Sequence, residues 1–289
     1  MSDGTFTPLL TTTDWNDEWK RLQTARKRSD DAQVWDKKAK TFPVKHGSQA
    51  GYVEQFLELA GVQPGESVLD MGCGTGALAT PLAQAGHKVI ACDFSRGMLD
   101  VMLADQASLG VEGVDVHVMS WEDDWDAEGV GPDCADVAIA SRSIATYDLQ
   151  ESLLKLDRAA RRRACITLPR SATPKIDDEL LAVTGFGSRI GRDFLYAFNI
   201  LAALGKSPEV AYIPNTRIEK FDSFEAALEG FSDIVRGAVD GLATQAEIET
   251  IPTRLRPWLE TNLVHDELGF HLNHPRHVTW AFIAWNTSA

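Results

Sequence analysis

The chain has 289 residues, 44% of them hydrophobic and 24% charged, the balance of an ordinary folded protein rather than a disordered one. Its 42 acidic residues outweigh 28 basic ones for a net charge of −14, which repels a phosphate backbone at long range and counts against nucleic acid as the substrate. No apolar run approaches the ~20 residues of a membrane-spanning helix, and Met1-Ser2-Asp3-Gly4 lacks the basic and apolar stretches of a secretory leader, so a cytoplasmic protein with no membrane partner is expected.

The first 45 residues mix Trp15, Trp19 and Trp35 with Lys20, Arg21, Arg26, Lys27, Arg28, Lys37 and Lys38. Trp15, Trp19 and Leu22 fall at helical spacing, which predicts an amphipathic helix capping the body, its cations forming a solvated face. A second helix is expected from Ala50 to Leu59, ended by Gly61 and the Pro64-Gly65 turn. Apolar, β-branched runs then recur at Ser67–Met71, Lys88–Cys92, Val114–Met119, Ala135–Ala140 and Cys165–Leu168. Helical patterns fill the gaps at about 77–85, 96–109 and 149–162, so βαβ units and a parallel sheet are predicted. The triplet Arg161-Arg162-Arg163 reads as the end of the last of these helices, complementing its dipole. After Pro169 the rhythm changes to helices at Gly191–Leu204, Phe224–Arg236 and Ala246–Asn262 with a short strand, Val210–Ile213, before a final strand, His277–Trp285.

The segment Val68-Leu69-Asp70-Met71-Gly72-Cys73-Gly74-Thr75-Gly76-Ala77 is the most informative. A strand runs into a glycine-rich turn with a helix directly behind it, so the backbone can take positive φ and a ligand can approach it closely. A dinucleotide site is disfavoured, because Asp70 would repel a pyrophosphate while suiting an ammonium group. Asp93, ending the second strand, stands where an acidic residue accepts hydrogen bonds from ribose hydroxyls. A ribose with a cationic amino-acid end fits both carboxylates, and S-adenosyl-L-methionine is such a molecule.

Together with Asp93-Phe94-Ser95 and Met98-Leu99, this segment resembles the cofactor motifs of class I S-adenosylmethionine-dependent methyltransferases, over roughly residues 35–170. The resemblance implies an α/β, doubly wound sheet of seven mostly parallel strands, the last antiparallel. It places Asp70, Gly72, Cys73, Gly74 and Gly76 around the methionine moiety, Asp93 on the ribose, and Phe94 and Met98 near adenine. Ser120 stands where the family often carries an adenine-binding Asp, which makes Trp121 and Glu122 the adenine neighbours, with Glu122 or Asp123 supplying the polar contact. Ser141 and Arg142 match the family's active-site floor, and Trp35 to Ala39 with Phe42 resembles a segment that closes over the cofactor.

Four units are expected: a helical cap (1–45), a cofactor-binding core (46–170), a mostly helical lid for substrate (171–275) and a final core strand (276–289). Methyl transfer from a sulfonium is an in-line displacement whose leaving group is already activated, so no fixed triad is required. Candidate bases are His46, Tyr52, Tyr147, Tyr196, His265 and His271. The spacing of His271, His274 and His277 falls on a turn between strands, and Cys73, Cys92, Cys134 and Cys165 are dispersed, so neither a metal site nor a disulfide is expected. The function implied is methyl transfer to a small-molecule acceptor, leaving S-adenosyl-L-homocysteine. A non-catalytic cofactor-binding module and an RNA or protein methyltransferase are the alternatives, and a homodimer is one assembly left open.

Overall fold

The apolar runs become the centre of the molecule, because strands buried on both faces need no polar side. The computed structural model describes residues 8–26, 31–39, 50–187, 191–267 and 269–287. Ahead of the sheet come α1 (Leu9–Thr12), α2 (Trp15–Arg26), α3 (Ala32–Ala39) and α4 (Ala50–Ala60). The alternating part follows as β1 (Val68–Met71), α5 (Ala79–Gln84), β2 (Val89–Asp93), α6 (Arg96–Leu109), β3 (Val114–Val118), β4 (Ala135–Ser141), α7 (Leu149–Ala159) and β5 (Ala160–Pro169). The last part holds α8 (Asp178–Thr184), α9 (Phe194–Ala203), β6 (Glu209–Arg217), α10 (Phe224–Val239), α11 (Gln245–Glu249) and α12 (Ile251–Asn262). A hairpin of β7 (Leu263–Asp266) and β8 (Gly269–Leu272) leads to β9 (Arg276–Asn286).

The described residues form a seven-stranded sheet in the order β3-β2-β1-β4-β5-β9-β6. Strands β1 to β5 pair in parallel, and β9 runs antiparallel between β5 and β6. The order reverses between β1 and β4, the switch point at which open α/β sheets leave a crevice beyond their carboxyl ends. Alternate side chains feed two apolar clusters. Leu69, Met71, Ala138, Ile166 and Trp285 join Trp19 and the buried face of α7 in one, while Val68, Val137, Ile139 and Phe282 join Phe56, Leu82 and Leu99 in the other. A third cluster belongs to α8, α10 and α12, around Phe231 and Leu255.

The sequence expectations need four amendments. Helix α7 stops at Ala159, and the arginine triplet lies in β5 instead of ending a helix. There Arg161 pairs with Asp136, Arg162 with Glu66 and Arg163 with Glu209, partners on other segments. Arg26 is no part of a solvated face: it is 1% exposed, with both terminal nitrogens on the Asp193 carboxylate at 2.6 and 2.9 Å. The short strand grows to the nine residues of β6 and joins the main sheet along the whole of its pairing with β9. The helix expected from Ala246 divides at Thr250, where Pro252 opens α12.

Candidate functional site

The glycine turn after β1 takes its shape from its neighbours. Gly72, Gly74 and Gly76 all have positive φ, a conformation that side chains resist. A Cβ on Gly72 would sit 2.2 Å from the Ser143 Cβ, and one on Gly76 would meet Met102 at 2.5 Å, whereas nothing lies within 4 Å of a Cβ built on Gly74. Two of the glycines thus allow close packing, and the third leaves open space over the crevice. Ser143, just past β4, donates its hydroxyl to the Met71 carbonyl at 2.7 Å and accepts from the Trp121 indole through its own carbonyl at 3.0 Å.

Asp70 and Asp93 end the neighbouring strands β1 and β2, but their surroundings differ. Asp70 is 1% exposed and its Oδ2 has no hydrogen-bond partner. Burial first, and the nearby Asp93 second, push its pKa up to about 7 against an opposing Ala79 N–H. Asp93 accepts from the Gly74 N–H through Oδ2 and from the Ser95 N–H through Oδ1, each at 2.8 Å, so it binds the glycine turn to the start of α6. Burial also raises its pKa, while those two N–H groups pull it back. Helix α3 arrives at the same place: Asp36 Oδ1 accepts from the Ser95 hydroxyl at 2.6 Å and from the Gly97 N–H at 2.9 Å. Those contacts lower the Asp36 pKa and set a carboxylate at the N-terminus of α6, where the helix dipole favours it.

Of the residues assigned to adenine, Met98 is buried on α6 and Phe94 half-buried beside it in sequence. Trp121 is buried and packs on Trp125 with ring centres 5.4 Å apart. Ser120 is half-buried, its N–H held by Asp123 Oδ2 at 2.7 Å, and Glu122 is exposed. Cys73 is buried in the turn, and burial raises its thiol pKa well above the ordinary value.

A second group of side chains lines the other flank of the crevice. The Tyr52 hydroxyl on α4 lies 2.8 Å from Ser141 Oγ and 2.9 Å from Thr167 Oγ1. The Arg142 N–H donates to Thr167 Oγ1 at 3.0 Å, and its guanidinium lies over the Tyr52 ring, 4.4 Å from the centre. Burial raises the Tyr52 pKa, which leaves the phenol a poor base at neutral pH.

The remaining candidate bases are scattered. Tyr147 is 58% exposed, Tyr196 packs edge-on against Trp19, and His265 stacks on Phe270. His271 is held in the β7–β8 hairpin by the Leu272 carbonyl and Asp266. His46 and Phe42 lie outside the described residues. Among the described residues no group of His, Cys, Asp and Glu is arranged to hold a metal ion, and no helix is long and apolar enough to cross a membrane. Thr167 and Trp280 carried no motif in the sequence. Their one signal is register, since Thr167 pairs with Ser141 and Trp280 with Pro169 at the strand ends.

A family model described as a methyltransferase domain matches residues 68–163. An uncharacterized protein of Haemophilus influenzae is 30% identical over 255 residues, covering 87% of this chain and 88% of its own. The malonyl-[acyl-carrier protein] O-methyltransferase of Serratia marcescens is 34% identical over 77 residues, only 27% of this chain and 30% of that one. In structure, a candidate methyltransferase from Bacillus halodurans superposes with a TM-score of 0.52 at 13% identity, covering 82% of this chain and 99% of that one.

Proposed function

The chain belongs to the class I S-adenosylmethionine-dependent methyltransferases, and from that premise we propose that it methylates a small-molecule acceptor in the crevice between β1 and β4. The observation that carries the site assignment is the buried, unpartnered Asp70 Oδ2 beside the open face of Gly74. An orphaned acceptor of this kind costs about 1–3 kcal/mol until something pairs with it, and an ammonium group does so with charge to spare.

The residues present suit S-adenosylmethionine. Asp70 would take the amino end, the Gly72–Gly76 turn the backbone approach, and the remaining lone pairs of Asp93 the ribose hydroxyls. Phe94, Met98 and Trp121 would border adenine, Ser120 or Glu122 would meet its polar edge, and Cys73 and Ser141 would face the methionine arm. When bound, the cofactor supplies an electrophilic methyl on a good leaving group. The chain contributes alignment and exclusion of water, with Tyr52 acting as a fixed hydroxyl that positions Ser141 rather than as a base.

A small acceptor is favoured by the net charge of −14, which opposes a polyanion. Residues 1–45 as a cap, 46–170 as the cofactor core, 171–275 as the acceptor-selecting lid, less α9 and β6, which belong to the core packing and the main sheet, and 276–289 as the closing strand complete the reading, in a cytoplasmic enzyme. Calorimetric titration with S-adenosylmethionine and S-adenosylhomocysteine should give saturable binding. Incubation of the protein with radiolabelled donor and separate small-molecule, protein and RNA fractions of a cell extract should then label the first. Label confined to RNA or protein would overturn the acceptor class, and no cofactor binding would overturn the site.

A further inference from the structure

Tyr52 of α4 meets Ser141 and Thr167, from the ends of β4 and β5, and the count of their protons gives the group a direction. Thr167 is fully buried, and its Oγ1 already accepts the Arg142 backbone N–H at 3.0 Å. Its own hydroxyl proton has one recipient among the described residues, the Tyr52 oxygen at 2.9 Å. A buried hydroxyl proton left without an acceptor costs about 1–3 kcal/mol, so Thr167 donates and Tyr52 accepts. The phenol proton then goes to the remaining neighbour, Ser141 Oγ at 2.8 Å, and Tyr52 is too deeply buried for solvent to compete. Reversing the chain would strand the Thr167 proton, because the amide at its start can only donate.

Ser141 ends the chain half-buried at the crevice. Its oxygen accepts from Tyr52, and its own proton has no acceptor among the described residues. Nearby serines differ: Ser143 donates to the Met71 carbonyl and Ser95 to Asp36. Register sets Ser141 beside the orphaned carboxylate. Asp70 pairs with Ile139, so Ser141 lies two residues further along the adjacent strand, on the same face of the sheet. A ligand spanning β1 and β4 thus meets an unpaired anion on one strand and a fixed hydrogen-bond donor on the next, the complement of an ammonium and a carboxylate carried on one carbon. We infer that Thr167 and Tyr52 are positioning residues that hold the Ser141 hydroxyl as an obligate donor to the carboxylate of the cofactor's amino-acid end. A lone serine rotates between donating and accepting; here that freedom is removed before the ligand arrives.

This inference rests on the methyltransferase reading, and its test separates the two. S-adenosylhomocysteine and its decarboxylated counterpart, S-adenosyl-3-thiopropylamine, are titrated calorimetrically into wild type, Thr167→Val, Thr167→Ser and Tyr52→Phe. Wild type should prefer the carboxylate-bearing ligand by about tenfold or more. Thr167→Val and Tyr52→Phe should each lose most of that preference while still binding the decarboxylated ligand as wild type does, which certifies their fold. Thr167→Ser, which restores the hydroxyl, should keep it. Tyr52→Phe and Thr167→Ser decide the matter should Thr167→Val fail to fold. A preference unchanged in Tyr52→Phe, or lost equally in Thr167→Ser, overturns the inference, as does a wild type indifferent to the carboxylate. Equal weakening of both ligands overturns it too, since the hydroxyls would then serve packing alone. Failure of wild type to bind either ligand would instead overturn the underlying reading.

Discussion

Two buried charged centres in this protein are built on opposite principles. Arg276, at the start of β9, is 2% exposed and fully engaged: Asp177 and the Lys175 carbonyl meet it from the α8 side, Glu219 from the end of β6, and the Phe231 ring lies 5.6 Å away. Asp70, at the end of β1, is as deeply buried and has an oxygen with no partner. The first joins the helical layer to the sheet. The second holds an unmet demand for a cation where the sheet opens. A paired charge stabilises the fold it belongs to; an unpaired one destabilises the free protein and favours whatever ligand completes it.

That contrast is open to direct attack. Arg276→Met should be the most damaging change, lowering stability by about 3–5 kcal/mol because the buried Asp177 carboxylate loses its cation, while Glu219 keeps Arg217. Chemical denaturation would measure it, and a loss under about 1 kcal/mol would show the hub to be dispensable. Asp93→Ala removes the acceptor shared by Gly74 and Ser95, and should weaken S-adenosylmethionine binding by about 10- to 100-fold while far-ultraviolet circular dichroism stays native. Calorimetry that returned unchanged affinity would detach Asp93 from the cofactor.

Asp70→Asn should act in the reverse sense to Arg276→Met. The Asp70 pKa is raised in the folded chain, so the folded state binds the extra proton and wild-type stability falls as pH climbs from about 4 to about 7. The amide removes that dependence. At pH 8 the variant should be more stable than wild type by about 1–3 kcal/mol and bind S-adenosylmethionine less tightly. In the wild type, cofactor affinity should rise across neutral pH as the carboxyl ionises. The smallest effect concerns His271, whose pKa is raised by the Leu272 carbonyl and Asp266. Its contribution is present below the unfolded value and is lost as pH rises through the folded one. The melting-temperature gap between wild type and His271→Gln should therefore narrow on going from mildly acidic to mildly alkaline buffer.

The sheet and the glycine turn were legible because local pattern dictates both. Val68 to Ala77 spells a strand, a turn that needs positive φ and a helix start, and nothing distant has to be known. The arginines were misread for the opposite reason. Arg26 looks like any surface cation until Asp193, 167 positions on, is folded against it, and Arg161 to Arg163 resemble a helix end until Asp136, Glu66 and Glu209 appear around them. Thr167 and Trp280 were invisible as crevice residues because only strand register brings them beside Ser141 and Arg142. The motif residues were read as individual ligand contacts, and the hydrogen bond from Gly74 to Asp93 could not be foreseen from spacing alone.

The handshake between Asp36 and Gly97 links positions 61 apart in the chain. A methyl group at Gly97 would press on the Asp36 Cα at 3.1 Å, so a side chain there would push α3 off the start of α6. A shortened chain beginning at β1 would accordingly be a poor surrogate: it would bare the first turn of α6 and loosen the very end of that helix on which Asp93 leans.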